Sequence, residues 1–431
     1  ASEDIFLKRA FDKYGVKADY EQRYEYKNAV NTYLYDNYTP AHRESNLSWM
    51  GSVYANAVGA AAVDRKKDAG LLRAALEAGP YLAEDARQAG LIDRIGQVKE
   101  AQDAALALAG SGAEVMDVED YGRASRARIR TGDQPQIAVV EAEGPIVTGR
   151  DGSGNPFTGS ATVYSDDISK ALYAAAKDKD VKAIVFRVNS PGGSDTASEQ
   201  ILAGVRAAKA AKKPVVVSMG TYGASGGYWI ASEASAIVAQ PSTLTGSIGV
   251  FGGKFVLGPA LARFGVDIRE TTVGSEYAGA FATGREFTPQ ERAAFATWMD
   301  RIYANFLQRV ATGRNLPLQK VQAIAKGRVW TGTQAHELGL IDEVGGFYQA
   351  VDKAKALAGI KGEARLKRMT PSGSPFEALE RALGVSATSI RTLAAAAWLM
   401  GDPRAQSVLD GMVDARLRTQ GATVLAPRLV N

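Results

Sequence analysis

Short apolar, β-branched runs alternate with amphipathic stretches through the middle of the chain. Residues 136–141 (QIAVVE), 181–188 (VKAIVFRV), 214–219 (PVVVSM) and 236–239 (AIVA) are short and rich in Val and Ile, which predicts buried strands. Residues 168–177 and 196–212 fall between them and carry helical patterns. Strand, helix and strand in that order predict parallel βαβ units, since parallel neighbours need a long crossover. Residues 111–135, rich in Gly, Ser and charge, predict a linker, and residues 361–431 a mostly helical tail. The longest apolar stretch, residues 393–400, is far shorter than the roughly 18 residues of a bilayer span.

The chain also resembles itself. Thr39, Pro40, Trp49, Met50, Tyr54, Ala55 and Asn56 recur as Thr288, Pro289, Trp298, Met299, Tyr303, Ala304 and Asn305, a constant offset (288 − 39 = 249). At that same offset Ala86, Gly90, Leu91, Ile92, Asp93 and Gly96 recur as Ala335, Gly339, Leu340, Ile341, Asp342 and Gly345. Upstream, with small gaps, Gly15 and Val16 answer Gly265 and Val266, and Tyr26 with Ala29 answers Tyr277 with Ala280. Two copies of one fold are therefore expected: a first truncated at its N-terminus (residues 1–110) and a complete second (residues 136–360). The first copy is expected to keep helices without the strands they would cover, and to need packing against something else. The chain begins at Ala1 rather than Met, so an upstream segment carrying a signal or anchor is expected.

Composition narrows the chemistry. With 46% hydrophobic and 23% charged residues the chain is of ordinary globular make-up. Lys+Arg 51 against Asp+Glu 47 is too balanced to predict nucleic-acid binding. Cys 0 removes thiolate catalysis, disulfides and cysteine metal sites, and His 2 leaves almost nothing for a histidine zinc site. No cofactor or metal is expected. Hydrolytic chemistry would have to come from Ser, Thr, Asp, Glu, Lys or Tyr.

Two glycine-rich turns follow predicted strands. Asn189-Ser190-Pro191-Gly192-Gly193 precedes a helix, so its N–H groups and the helix dipole suit an oxyanion or phosphate; a plain tight turn is the alternative. In Gly223-Ala224-Ser225-Gly226-Gly227, Ser225 could present its hydroxyl while the Gly226 N–H faces an oxyanion. The competing role for Ser225 is a helix N-cap. His42 and His336 sit in no suggestive setting, so the base would have to be a lysine kept neutral by burial. The repeat points to Lys27, which stands opposite Ala278: one copy holds the lysine and the other the serine, as a composite site requires. An exposed helical lysine is the alternative. Thr245-Gly246-Ser247-Ile248-Gly249 adds a hydroxyl that could hold the amine.

At these residues the sequence resembles the double-length, Gram-negative type of the signal peptide peptidase A family, in the Clp protease/crotonase superfamily. The matching strings are FRVNSPGGSDTASE (residues 186–199), PVVVSMGTYGASGGYWI (214–230), PSTLTGSIGV (241–250), VWTGTQAHELGLID (329–342) and Tyr26 to Val30. The resemblance covers most of residues 1–360. It implies an α/β fold of tandem crotonase-like repeats, with Ser225 as nucleophile, Lys27 as general base, Ser247 orienting the lysine, and Gly193 and Gly226 as oxyanion donors. It further implies a membrane-anchored, periplasm-facing peptidase at the bacterial inner membrane, tetrameric, degrading cleaved signal peptides in an apolar groove. Other outcomes of the same motifs are a phage prohead-type peptidase, against which the repeat argues, and a crotonase-like acyl-CoA enzyme, which would need neither Ser225 nor Lys27. A non-catalytic ring scaffold is a further one.

Overall fold

The four apolar runs become parallel neighbours in the computed structural model, which describes residues 2–118, 120–122, 134–150 and 162–369. They are β2 (Gln136–Glu143), β5 (Val181–Ser190), β6 (Val215–Ala224) and β7 (Ala236–Ala239), after β1 (Lys17–Arg23) and the short β3 (Ile146–Val147) and β4 (Val163–Tyr164). Parallel pairing runs β2 to β5 to β6 to β7. Alternate side chains go to opposite faces. Val140, Ile184, Phe186, Val188, Val217 and Met219 lie in one core, with Leu172 of α7 (Ser165–Lys177) and Ile201, Leu202 and Val205 of α8 (Asp195–Ala210). Ile137, Ala183, Val185, Val216 and Val238 face Ala350 and Ala354 of α14 (Phe347–Leu357). Burial on both faces is why these strands read as continuous apolar runs rather than alternating ones.

β6 forks, and the fork positions the site. Its residues Val216 to Met219 pair with β7, whereas Tyr222 to Ala224 pair with β8 (Leu244–Gly246). Ser190, at the end of β5, is registered against Gly223 near the end of β6. The two glycine-rich turns therefore emerge side by side at the carboxyl ends of parallel strands, where ligands of open α/β sheets bind.

The first 46 residues do more than supply helices. After α1 (Lys8–Tyr14), β1 pairs antiparallel with β9 (Val250–Val256), Lys17 opposite Val256 and Arg23 opposite Val250. Asp19, 4% exposed, fixes that strand: it accepts the Phe287 N–H at 2.8 Å and pairs with Arg292 of α11 (Pro289–Arg314). Helix α2 (Asn31–Leu34) and the start of α3 (Pro40–Asp64) follow. The first copy thus also carries a strand, β1, which the sequence reading did not anticipate and which forms a ladder with a strand more than two hundred residues away.

The chain divides into two compact units, with one boundary at the expected start of the second copy, Gln136, and the other inside the expected first copy. Ala1–Asn46 group with the chain from Gln136 onward, and Leu47–Pro135 form the other unit, so the expected segment 1–110 is split. The second unit is helical: the rest of α3, α4 (Ala69–Glu77), α5 (Ala83–Gln88) and α6 (Val98–Ala109). Its core is thin, with Val58, Ala62 and Leu72 buried while Leu71, Leu82, Val98 and Leu108 stay exposed. Polar contacts help to hold it, among them Arg65 on the Gly90 carbonyl and the Asp93 carboxylate, and the Asp68 cap on the Leu71 N–H. In the first unit, α10 (Gly258–Ala262) precedes α11, which is followed by α12 (Leu318–Ile324), α13 (Gly332–Leu338) and α14. Helices α3 to α6 begin at Pro40, Ala69, Ala83 and Val98, and α11 to α14 at Pro289, Leu318, Gly332 and Phe347, each 249 positions later (289 − 40 = 249).

Between α12 and α13 lies β10 (Val329–Thr331), antiparallel to β8, and after α13 lies β11 (Glu343–Val344), parallel to β7. The expected helical tail begins instead with β12 (Arg365–Arg368), which adds a parallel edge to β2. Residues 370–431 of that tail, and much of the expected linker, lie outside the described residues. Among the described residues no helix is long and apolar enough to cross a membrane.

Candidate active site

Ser225 closes β6 at the N-terminus of the one-turn helix α9 (Gly226–Trp229), with φ 54° and ψ −121°. A serine at positive φ is strained, and such strain persists only where the surroundings impose it. Here its N–H donates to the Gly246 carbonyl at 2.9 Å, and its carbonyl accepts from the Tyr228 and Trp229 N–H groups, both at 2.9 Å. Its side chain makes no capping bond, so the N-cap alternative does not occupy the hydroxyl.

That hydroxyl faces Lys27. Nζ lies 3.0 Å from Ser225 Oγ, 3.0 Å from Ser247 Oγ and 2.9 Å from the Ser247 carbonyl. Lys27 is not on an exposed helix: it precedes a single 3₁₀ turn (Asn28–Val30) and is 3% exposed. Burial pushes its pKa down to about 7, since an ammonium loses its hydration there and no carboxylate among the described residues compensates. A neutral amine has two N–H donors and one lone pair. The donors serve Ser247 and the lone pair is left for the Ser225 proton. Ser247 owes its position to a second strained turn, with φ 50° and its N–H on the Arg328 carbonyl at 2.7 Å.

The two oxyanion candidates meet beside Ser225. A Cβ on Gly192 would stand 2.7 Å from both the Gly226 nitrogen and Ser225 Cβ, and one on Gly226 would stand 3.0 Å from the Gly193 nitrogen. Gly193 is pressed onto β3, where a Cβ would fall 2.0 Å from the Ile146 carbonyl oxygen. That carbonyl is taken by the Ser194 N–H, and the Ile146 N–H by the Gly192 carbonyl, both at 2.9 Å. Neither the Gly193 nor the Gly226 N–H donates to an acceptor among the described residues, so two donors are left available next to the serine. Neither histidine is a hydrogen-bond partner of Ser225 or Lys27 among the described residues: the His42 ring lies by Asn31, Asp4, Phe6 and Tyr38, and His336 lies in α13.

All five residues singled out in the sequence are brought together. What sequence reasoning missed is the loop of residues 325–328, whose Gly327 lies against the Lys27 backbone and whose Arg328 carbonyl holds Ser247. Its signal was a glycine just before the Val-Trp-Thr-Gly string, unremarkable until its neighbour across the fold is known. Among the described residues no group of His, Asp and Glu is arranged to hold a metal ion.

Comparison with known proteins follows the same lines. A family model described as Peptidase family S49 matches residues 1–111 and 207–361, which include Lys27, Ser225, Gly226 and Ser247 but not Gly193. The chain is 34% identical over 374 residues to Protease 4 of Salmonella typhi, covering 84% of this chain and 58% of that one. It is 33% identical over 377 residues to Protease 4 of Haemophilus influenzae, covering 83% and 59%. It is also 31% identical over 374 residues to the chloroplastic Serine protease SPPA of Arabidopsis thaliana, covering 82% and 53%. The chain thus spans a little over half the length of these relatives.

Proposed function

The chain belongs to peptidase family S49, and on that premise we propose that it is a serine endopeptidase working through a Ser225 and Lys27 dyad. The observation that carries this reading is a buried lysine, with its pKa lowered to about 7, set 3.0 Å from a strained, uncapped serine hydroxyl. Ser225 Oγ attacks the scissile carbonyl carbon while Lys27 Nζ takes its proton. The resulting oxyanion is held by the Gly193 and Gly226 N–H groups. Lys27 then gives the proton to the leaving amine, and the acyl-enzyme is hydrolysed by a water that the same lysine deprotonates. Ser247 keeps the amine aimed at Ser225 throughout.

The substrates are extended, apolar peptides of the kind left when signal peptides are cleaved, and the site of action is the bacterial inner membrane on its periplasmic side. This part rests on the resemblance to signal peptide peptidase A. Tandem crotonase-like repeats, assembled as a tetramer, complete the proposal. The common offset between the helix starts of α3 to α6 and α11 to α14 supports two copies of one fold, residues 1–110 and 136–360. Fluorogenic signal-peptide fragments with apolar residues beside the scissile bond test it. Turnover should vanish in Ser225→Ala, with loss of at least about a thousandfold in kcat/KM. Undiminished turnover in that variant, or a preference for Arg, Lys or Asp at the cleavage point, would sink the reading.

A further inference from the structure

The loop of residues 325–328, between α12 and β10, touches both sides of the dyad. A Cβ on Gly327 would stand 2.6 Å from the Lys27 N, Cα and Cβ atoms, so the lysine backbone rests directly on this glycine. The Gly327 N–H donates to the Ile248 carbonyl at 2.8 Å, the Lys326 carbonyl accepts from the Tyr26 N–H at 3.2 Å, and the Arg328 carbonyl accepts from Ser247. Lys27 itself lies beyond the end of β1 and outside any ladder. Something other than the sheet must hold its segment.

The Arg328 side chain is built to do so. Its guanidinium lies 4.8 Å from the Tyr26 ring centroid and 4.4 Å from that of Trp330, and its two terminal nitrogens donate to both oxygens of Glu44 at 2.7 and 2.8 Å. Trp330 is itself anchored by its indole N–H on the Ile324 carbonyl at 2.9 Å. A planar cation between two aromatic faces with a bidentate carboxylate is a geometry that arginine makes and lysine does not. Its Nε is buried without a hydrogen-bond partner among the described residues, a cost the stack and the fork offset. The other ion pair beside the lysine, Glu25 with Lys326 at 3.2 Å, is exposed on both sides and holds little.

Resting on the Ser-Lys reading above, we infer that Arg328 is the positioning residue of the general base. By stacking on Tyr26 and gripping Glu44 it holds the residues on both sides of Lys27 against the 325–328 loop, which in turn fixes Ser247. Lys27 is thereby kept aimed at Ser225 with its amine out of bulk solvent. A loosened segment would both misaim the amine and hydrate it.

The test compares wild type with Arg328→Met, Arg328→Lys and Glu44→Gln, scoring peptide turnover and Ser225 labelling by an alkylphosphonate across roughly pH 6 to 9.5. Both Arg328 variants should lose about tenfold or more in kcat with KM changed less than about threefold, because the change falls on the aim of the amine rather than on peptide binding. Their pH midpoint should rise by about half a unit or more as water reaches the amine, a readout that mere destabilisation would not move. Glu44→Gln should shift both in the same direction and less. Folded variants with wild-type kcat and midpoint would overturn the role of Arg328, and Arg328→Lys with Glu44→Gln decide it if Arg328→Met does not fold. A wild-type chain never labelled at Ser225 would overturn the Ser-Lys reading and this one with it.

Discussion

Lys27 Nζ stands 3.0 Å from Ser225 Oγ although 198 positions separate the two residues, and no ladder, helix or disulfide joins their immediate segments. The contact depends on two independent placements. The strained turn after β6 aims the serine, and the docking of residues 17–31 on β9 and the 325–328 loop delivers the lysine.

Peptidase activity should rise with pH through about 7 and then level off, because the amine must be neutral to accept the serine proton and its folded pKa is about 7. Replacing His42 and His336 should leave that midpoint in place. Lys27→Arg should be inactive, since a guanidinium stays protonated at any working pH. A pH-rate profile of the three variants checks this, and an active Lys27→Arg enzyme would exclude lysine as the base.

Lys27→Met should make the folded protein more stable while destroying its activity. The folded pKa of about 7 lies below the value near 10.5 that a solvated lysine keeps, so the unfolded chain binds the proton more tightly. The native state then carries no penalty above about pH 10.5, a growing one as pH falls toward 7, and a constant one below. A shift from 10.5 to about 7 sets a ceiling of roughly 5 kcal/mol, reduced by the hydrogen bonds to Ser247 that the methionine forfeits. Denaturant melts of both proteins at pH 6 and 10 should show the gain at the lower pH and little at the higher; a uniform loss would contradict it.

Gly193→Ala should cost on the order of a hundredfold or more in kcat with a smaller change in KM. An added Cβ would stand 2.0 Å from the Ile146 carbonyl oxygen, which is backbone and cannot swing aside, so the turn must move and take its N–H with it. Steady-state kinetics decide the point, and a fully active Gly193→Ala enzyme would remove Gly193 from the oxyanion site.

Asp19→Ala should weaken the docking of β1 and with it the lysine. Asp19 is buried and serves Arg292 and the Phe287 N–H, so its loss leaves a donor unmatched and the guanidinium unpaired on one side. Since Arg292 is itself 38% exposed, the expected cost is roughly 2 kcal/mol rather than that of a fully buried pair. Hydrogen exchange in β1 and β9 should quicken and turnover fall in parallel. Unchanged exchange there would show that the pair does not hold the strand.

The central strands, their helices, the two glycine turns and the pairing of a serine with a distant lysine were legible in the sequence. Strands buried on both faces must be apolar throughout, backbones that approach closely must be glycine, and a chain with two histidines leaves few other bases. β1 was not legible. Of its residues only Asp19 is buried, so it carries no apolar pattern and exists because β9 offers a free edge and Arg292 a counter-charge. The strand at residues 365–368 is likewise polar and owes its form to the edge of β2. Nor could the sequence say that Lys27 would be buried, or that Gly327 and Arg328 would lie against its segment, because burial and stacking belong to pairs of segments remote in the chain. Local patterns of residue type determined which elements form and which groups could react. Long-range packing alone decided the protonation state of the lysine and its distance from the serine, since desolvation is set by everything that surrounds a group and not by its neighbours in sequence.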